Sequence, residues 1–275
     1  MIFLAHKYGQ LGNRLAYFRV YLSFALEHNV TIFDLAFYEY SKYFKGGNAS
    51  VIGINSMSSR LLRQTLLNLI QTGLISEGNR LLSTVKADSD GLVRLIDDSV
   101  AHKCVDSHVV IYEGWPVIDW NIVKKHDDTV RNFFILVDGL ASKVKLFVDQ
   151  LREKSDILIG IHIRQGDYRQ WEGGKHYFES TEYVSMMMKI LEMHKNAVVK
   201  FVISTHVDQD WDLFSGINYV KSSGNAVEDM YILAACDEIY GPQSSFSGWA
   251  SFFGNVPLCW IEDPTNFTPA LKAHG

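Results

Sequence analysis

Three things are scarce in this chain of 275 residues, and each excludes a class. Positive charge is in deficit: 26 Lys and Arg against 31 Asp and Glu leave a formal net charge of -5. That balance argues against a general nucleic-acid binder, which carries a basic surface, although a few local cations and helix N-termini suffice for a nucleoside diphosphate. Cysteine is scarce and odd in number (Cys104, Cys236, Cys259), with no C-x-x-C pair, which excludes a disulfide framework and predicts reduced thiols. No uninterrupted apolar run reaches membrane-spanning length. Residues 1 to 8 read as a first strand rather than a signal sequence, so a cytoplasmic protein is expected and the sequons at Asn48 and Asn266 carry no meaning. The dinucleotide fingerprint G-x-G-x-x-G is missing too, as are fixed-period repeats and low-complexity tracts.

What is present is a globular composition, 47% apolar and 21% charged, at a length that suits two domains. Met1 to Ala5 predicts a strand, and Leu15, Phe18, Leu22 and Ala25 give the following segment a helical period. Between them lies Gly9-Gln10-Leu11-Gly12-Asn13-Arg14, with Asn13 placed to cap that helix. A strand at Val30 to Phe33 completes a β-loop-α-β unit. Residues 38 to 56 predict a surface excursion. Leu61, Leu62, Leu66, Leu69 and Ile70 predict an inward stripe on a helix over 58–71. Strands are expected at 92–96 and 109–112, and helices at 126–134 and 139–153. Lys154-Ser155-Asp156 is the expected hinge, dividing the chain into 1–154 and 155–275.

The second half is organised around Ile157 to Ile163, a β-branched apolar run that reads as a buried parallel strand. It ends abruptly in Arg164, Gly166 and Asp167. Polar residues at the carboxyl end of such a strand face the crevice where ligands bind in open α/β sheets. A guanidinium there matches phosphate oxygens two at a time, although an Arg–Asp pair closing a strand end explains the tripeptide equally well. Helices at 181–193 and 226–235 and strands at 198–204, 217–220, 238–240 and 257–261 follow, a Rossmann-like alternation. After Gly241-Pro242, the run Ser244-Ser245-Phe246-Ser247 opens another helix, where hydroxyls and free N–H groups make either an anion site or a plain N-cap.

Gly9 to Asn13, His162-Ile163-Arg164-Gln165-Gly166-Asp167 and Ser244-Ser245-Phe246-Ser247-Gly248-Trp249-Ala250 resemble three motifs in order. They are those of the α-1,2-, α-1,6- and protein O-fucosyltransferase superfamily: Gly-x-x-Gly-Asn, His-x-Arg-x-Gly-Asp and Ser-Ser-Phe-Ser-x-Trp-Ala. The match is nearest to bacterial-type α-1,2-fucosyltransferases, while residues 35 to 150 match no quotable motif. The resemblance implies the GT-B arrangement, two Rossmann-like domains facing across a cleft, with an acceptor-side N-terminal and a nucleotide-sugar C-terminal domain. It implies GDP-fucose as donor, a glycan acceptor, inversion at the anomeric carbon and no metal. It further implies that Arg164 contacts the β-phosphate. His162, Asp167, Gly12, Asn13 and the Ser244–Ser247 helix start fall at donor-site positions, and Asp229 is a candidate for ribose or guanine. Glu172, ten residues after His162, stands where the α-1,6 enzymes carry an acidic base, with Asp167 and His176 in reserve. The chain departs from the α-1,6 pattern at Gln165, where that family has a second basic residue, and at Tyr168, where it has Lys, with Arg169 a possible substitute. Without an anchor, a bacterial-type or viral enzyme is expected.

Two readings compete. Asp88-Ser89-Asp90 and Asp208-Gln209-Asp210 are DxD patterns, as in metal-dependent sugar transferases of another fold, although short Asp-rich loops also form turns. His102, Cys104 and His108 are conceivable metal ligands lacking an evident fourth. A non-catalytic nucleotide- or carbohydrate-binding module is the other rival.

Overall fold

The structure, a computed structural model, describes residues 1–46, 56–222, 224–264 and 266–271. The Asn48 sequon and much of the expected excursion over 38–56 lie outside the described residues. The chain forms two compact units, Met1–Asp138 and Gly139–Gly275.

In the first unit, β1 (Ile2–Leu4) leads through a tight loop into α1 (Leu11–Glu27) and back to β2 (Ile32–Asp34). Leu15, Phe18, Leu22 and Ala25 are all buried, as their period requires. Asn13 does not cap this helix. The helix starts at Leu11 with Gln10 as cap residue, because Gly9 turns the chain early at φ +55°, and Asn13 falls within the first turn. Then come α2 (Ser56–Gln71), β3 (Ser83–Val85), β4 (Leu92–Arg94), α3 (Asp98–Asp106), β5 (Val109–Ile111), β6 (Trp115–Val117), α4 (Trp120–Lys125) and α5 (Asp127–Phe133). On α2, Leu66 is buried and Leu62, Leu69 and Ile70 pack beside it, but Leu61 is exposed because it precedes that stripe by one position. The main sheet is parallel in the order β2-β1-β5-β3, and β4 pairs with β6 separately. The chain leaves β1 toward β2 on one side while β5 flanks the other, so the Gly9–Asn13 loop stands at this sheet's switch point.

Helix α6 (Asp138–Arg152) begins at the last residue of the first unit and leads the second, followed by β7 (Ile157–Ile163), α7 (Ser180–Met193), β8 (Val199–Thr205), β9 (Tyr219–Lys221), α8 (Ala226–Leu233), β10 (Glu238–Gly241), α9 (Ser245–Gly254) and β11 (Leu258–Trp260). Its sheet is parallel throughout, in the order β11-β10-β7-β8-β9. Helix α6 belongs here rather than with the residues before it: Arg152 pairs with Asp237 at 3.0 Å and Lys143 with Glu228 at 2.5 Å. The division therefore falls one helix before the expected hinge at 154–156. Ile159, Ile161 and Ile163 are fully buried beneath α7, each worth about 1.5–3 kcal/mol relative to exposure. Gly160 faces the other side, where a Cβ would meet Leu233 of α8 at 2.7 Å. Burial on both faces explains the uninterrupted apolar run.

Candidate functional site

The strand order fixes where a ligand belongs. From β7 the chain runs outward through β8 to β9, then crosses to β10 and β11 on the other side. The switch point therefore lies between β7 and β10, where open α/β sheets hold ligands at the carboxyl ends. The two loops that leave these ends carry Arg164 and Ser244 to Ser247.

They are tied together. His162 Nδ1 lies 3.2 Å from Ser247 Oγ, and the His162 ring packs on Phe246 at 4.9 Å. The Tyr168 hydroxyl donates to the Gln243 carbonyl at 2.8 Å. Gly241 lets the segments close: a Cβ there would meet His162 Cβ at 3.0 Å and its carbonyl at 3.1 Å. Ser244 is the N-cap of α9, its hydroxyl accepting from Phe246 N at 3.2 Å. The N–H groups of Ser245 and Ser247, in the same first turn, have no intrahelical acceptor. Trp249 and Phe252 pack inward, as expected for helix packing.

Arg164 is largely buried, its side chain 19% exposed. One terminal nitrogen donates to Asp167 at 2.7 Å, and the guanidinium lies over the Tyr168 ring at 5.2 Å. Its Nε is buried without a hydrogen-bond partner. A buried charged donor left open is costly unless a ligand supplies the acceptor. His162 is buried, and burial first, then Arg164 and His206, pulls its imidazole down to about 3, so it is neutral at ordinary pH.

His206 is a site residue that sequence reading missed. The register pairs Ile163 with Thr205, so the residues that follow, Arg164 and His206, emerge side by side. Its Nε2 would lie 3.0 Å from a Cβ on Gly166, whose φ is +65°. Burial, then Arg164, lowers the His206 imidazole, against a weaker pull upward from Asp167. A polar residue directly after an apolar strand was the available signal.

Gln165, at one departure from the α-1,6 pattern, and Arg169, beside the other, each have partners of their own. Gln165 is buried, donating to the Phe178 carbonyl at 2.9 Å and accepting from Gln209 at 2.9 Å. The Arg169 guanidinium lies over the Tyr177 ring at 4.6 Å and within 3.8 Å of Glu179. Glu172 is exposed on the turn that follows, at φ 47°, ψ 39°, a left-handed conformation rare for a non-glycine residue. Its Oε2 lies 3.5 Å from Nε2 of the buried His176. Asp229 sits in the first turn of α8, accepting from Gly224 N at 3.1 Å, and burial raises it to about 6. It follows the edge strand β9, two strands from β7. Gly12 and Asn13 lie in the first unit, at the start of α1.

The DxD residues have local partners. Asp208 accepts from Trp211 Nε1 at 2.9 Å and Gln209 N at 3.1 Å, Asp210 caps the turn at Asp212, and Asp88 and Asp90 both pair with Arg94. Among the described residues, no group of three or more His, Cys, Asp or Glu is arranged to hold a metal ion. Cys104 is buried in α3, and burial pushes its thiol up to about 12.

No curated relative matches the chain by sequence. Among solved structures, the R284K mutant of Arabidopsis thaliana FUT1 in complex with GDP gives a TM-score of 0.65 at 12% identity, covering 94% of this chain and 70% of that one. Fucosyltransferase NodZ from Bradyrhizobium gives 0.61 at 13% identity, covering 100% and 99%. POFUT1 in complex with GDP-fucose gives 0.53 at 8%, covering 92% of each. At such identities the likeness is one of fold, the mixed α/β, parallel-sheet fold of GT-B-type transferases. The model of Glycosyl transferase family 11 matches residues 108–258, more than half of the chain, including β7, the Arg164 loop and all of α9. This chain belongs to glycosyl transferase family 11 and is a glycosyltransferase of the fucosyltransferase type.

Proposed function

We propose that the protein transfers fucose from GDP-fucose to a hydroxyl of a glycan acceptor, with inversion and without a metal ion. The observation that carries this reading is the open Nε of Arg164 at the β7–β10 switch point, on a loop tied to the serine-rich start of α9. Arg164 binds the β-phosphate of the donor, and the α9 N–H groups of Ser245 and Ser247 complete the anion site. His162 is too buried to be a broad ligand surface. It holds Ser247 and Phe246, and so the helix start, against the strand end. Gly12 and Asn13 keep the donor-site role that the family motif implies, and Asp229, in the first turn of α8, is assigned to ribose or guanine.

In the reaction, the acceptor oxygen attacks the anomeric carbon and the bond from that carbon to the β-phosphate oxygen breaks. The electron pair leaves with GDP, where Arg164 and the helix start stabilise it. The acceptor proton passes to the Glu172 carboxylate. One displacement inverts the configuration. Asp208 and Asp210 are committed to a turn, which favours this reading over a DxD mechanism. The buried Cys104, Cys236 and Cys259 fit a reducing, cytoplasmic location.

The test combines binding and turnover. GDP should raise Tm, since binding to the folded state stabilises by mass action, whereas UDP and ADP should not. GDP-fucose should be consumed in excess EDTA, and Asp208→Asn should cost little. Preference for UDP or ADP removes the donor assignment. Turnover abolished by chelation and restored by Mn²⁺ or Mg²⁺ establishes the metal-dependent mechanism instead.

A further inference from the structure

The loop after the diphosphate-binding strand carries an aromatic stack that the donor chemistry does not use. The Arg164 guanidinium lies over Tyr168, Tyr168 packs on Trp171 at 4.8 Å, and Trp171 packs on His176 at 5.2 Å. Tyr168 and His176 are buried, whereas Trp171, packed against both, is 41% exposed, so the indole is the member of the stack that solvent reaches. Beside it, His176 Nε2 is buried with no hydrogen-bond partner, and the nearest carboxylate oxygen, Glu172 Oε2, stands 3.5 Å away. Glu172 is held in the left-handed region, whereas Gly173 and Gly174 occupy positive φ at no such penalty. Backbone strain of this kind persists where the surroundings impose it, and it clusters at ligand sites.

A partly exposed indole beside an exposed carboxylate and a buried, unpartnered imidazole nitrogen has the chemistry of a pyranose site. A sugar ring presents a face of C–H groups to the aromatic plane and a rim of hydroxyls to the polar groups. We propose that Trp171 is the platform for the acceptor sugar, with Glu172 and His176 at its rim. The platform would set an acceptor hydroxyl against Glu172, a few residues from the arginine that holds the leaving group. This inference rests on the transferase reading above and names which residues meet the acceptor.

Saturation-transfer NMR on the full chain tests it. The probes are methyl β-D-galactopyranoside and methyl β-D-glucopyranoside, each with and without GDP, with glycerol as a ring-free control. Wild-type protein should saturate the C–H protons of one pyranoside face and leave glycerol silent. Trp171→Ala should weaken pyranoside binding about fivefold or more while GDP still receives saturation, and Trp171→Phe should restore most of the loss. Equal pyranoside signals from the alanine variant and wild type overturn the proposal. So does a wild-type protein silent toward both pyranosides at about 10 mM, where even weak binding registers. Parallel loss of GDP and pyranoside signals in Trp171→Ala also overturns it, because the indole would then be supporting Arg164. Wild-type protein that ignores GDP but binds a pyranoside through Trp171 refutes the donor reading alone.

Discussion

Replacing Arg164 probes the centre of the mechanism. In Arg164→Ala the pair with Asp167 is lost, but Asp167 is 58% exposed, so that loss costs no more than about 1 kcal/mol of folding stability. Part of it is returned, since the buried Nε no longer lacks an acceptor and His162 no longer faces a neighbouring cation. The functional loss is larger. A charge-assisted hydrogen bond to the departing diphosphate is worth about 1.5–3 kcal/mol, and an oxyanion-type donor sits at the upper end of that range. A loss of about 2–3 kcal/mol corresponds to a roughly 30- to 150-fold fall in donor kcat/KM. Arg164→Lys should not rescue it, because an ammonium lacks both the Nε–H and the planar fork. The assay is initial-rate release of GDP over a donor series, with Tm measured on the same preparations. Near-wild-type transfer by the alanine variant, at unchanged Tm, would refute the assignment of Arg164 to the phosphate.

Glu172→Gln should lower kcat by roughly 10²-fold or more while GDP affinity holds, read by steady-state kinetics and calorimetry; an unchanged kcat at saturating substrates moves the proton to Asp167 or His176. Gly254→Ala should destabilise by about 3 kcal/mol and lower Tm by roughly 10 °C, because a Cβ there overlaps the Ala234 carbonyl between α8 and α9. His162 has its folded-state pKa depressed to about 3 from 6.5, so the unfolded chain binds the extra proton between those values. The stability tied to its neutral form is complete above pH 6.5 and is lost as pH falls, by about 2 kcal/mol at pH 5. Denaturant midpoints at pH 7.5 and pH 5 should therefore converge in His162→Gln and diverge in wild type.

Much of the second unit was legible because its physics is local. A strand buried on both faces has to be apolar at every position, so Ile157 to Ile163 announced itself, and the abrupt change at Arg164 marked its carboxyl end. Helix α1 was legible from its period, but its first residue was not: Gly9 turns the chain ahead of Asn13, and composition carries no φ angle. Strands β3 and β6, of three residues each, are too short to show alternation. Helix α3 buries only Cys104 and so has no stripe to read. The unit boundary depended on Arg152 finding Asp237 and Lys143 finding Glu228, partners 85 residues apart in both cases. His206 needed the β7–β8 register, which aligns two strand ends 42 residues apart. Long-range pairing was the missing information in these last two cases.

The same distinction resolves the second Asp-x-Asp pattern. Read along the chain, Asp208-Gln209-Asp210 after a strand has the form of a metal-binding turn. In space its middle residue is the informative one. Gln209 is buried, its amide donating to Gln165 Oε1 at 2.9 Å while its carbonyl oxygen accepts from Ser180 Oγ at 2.8 Å. Gln165 in turn donates to the Phe178 carbonyl. The chain therefore links the end of β7, the entrance to α7 and the loop after β8 through one buried amide pair. Gln165 directly follows Arg164, so fixing its amide inward helps hold the loop that carries the guanidinium. A second cation at position 165 would be buried among these groups at a cost of several kcal/mol, unpaired. The glutamine is thus the residue this packing requires, and the flanking aspartates close the turn that presents Gln209 to it.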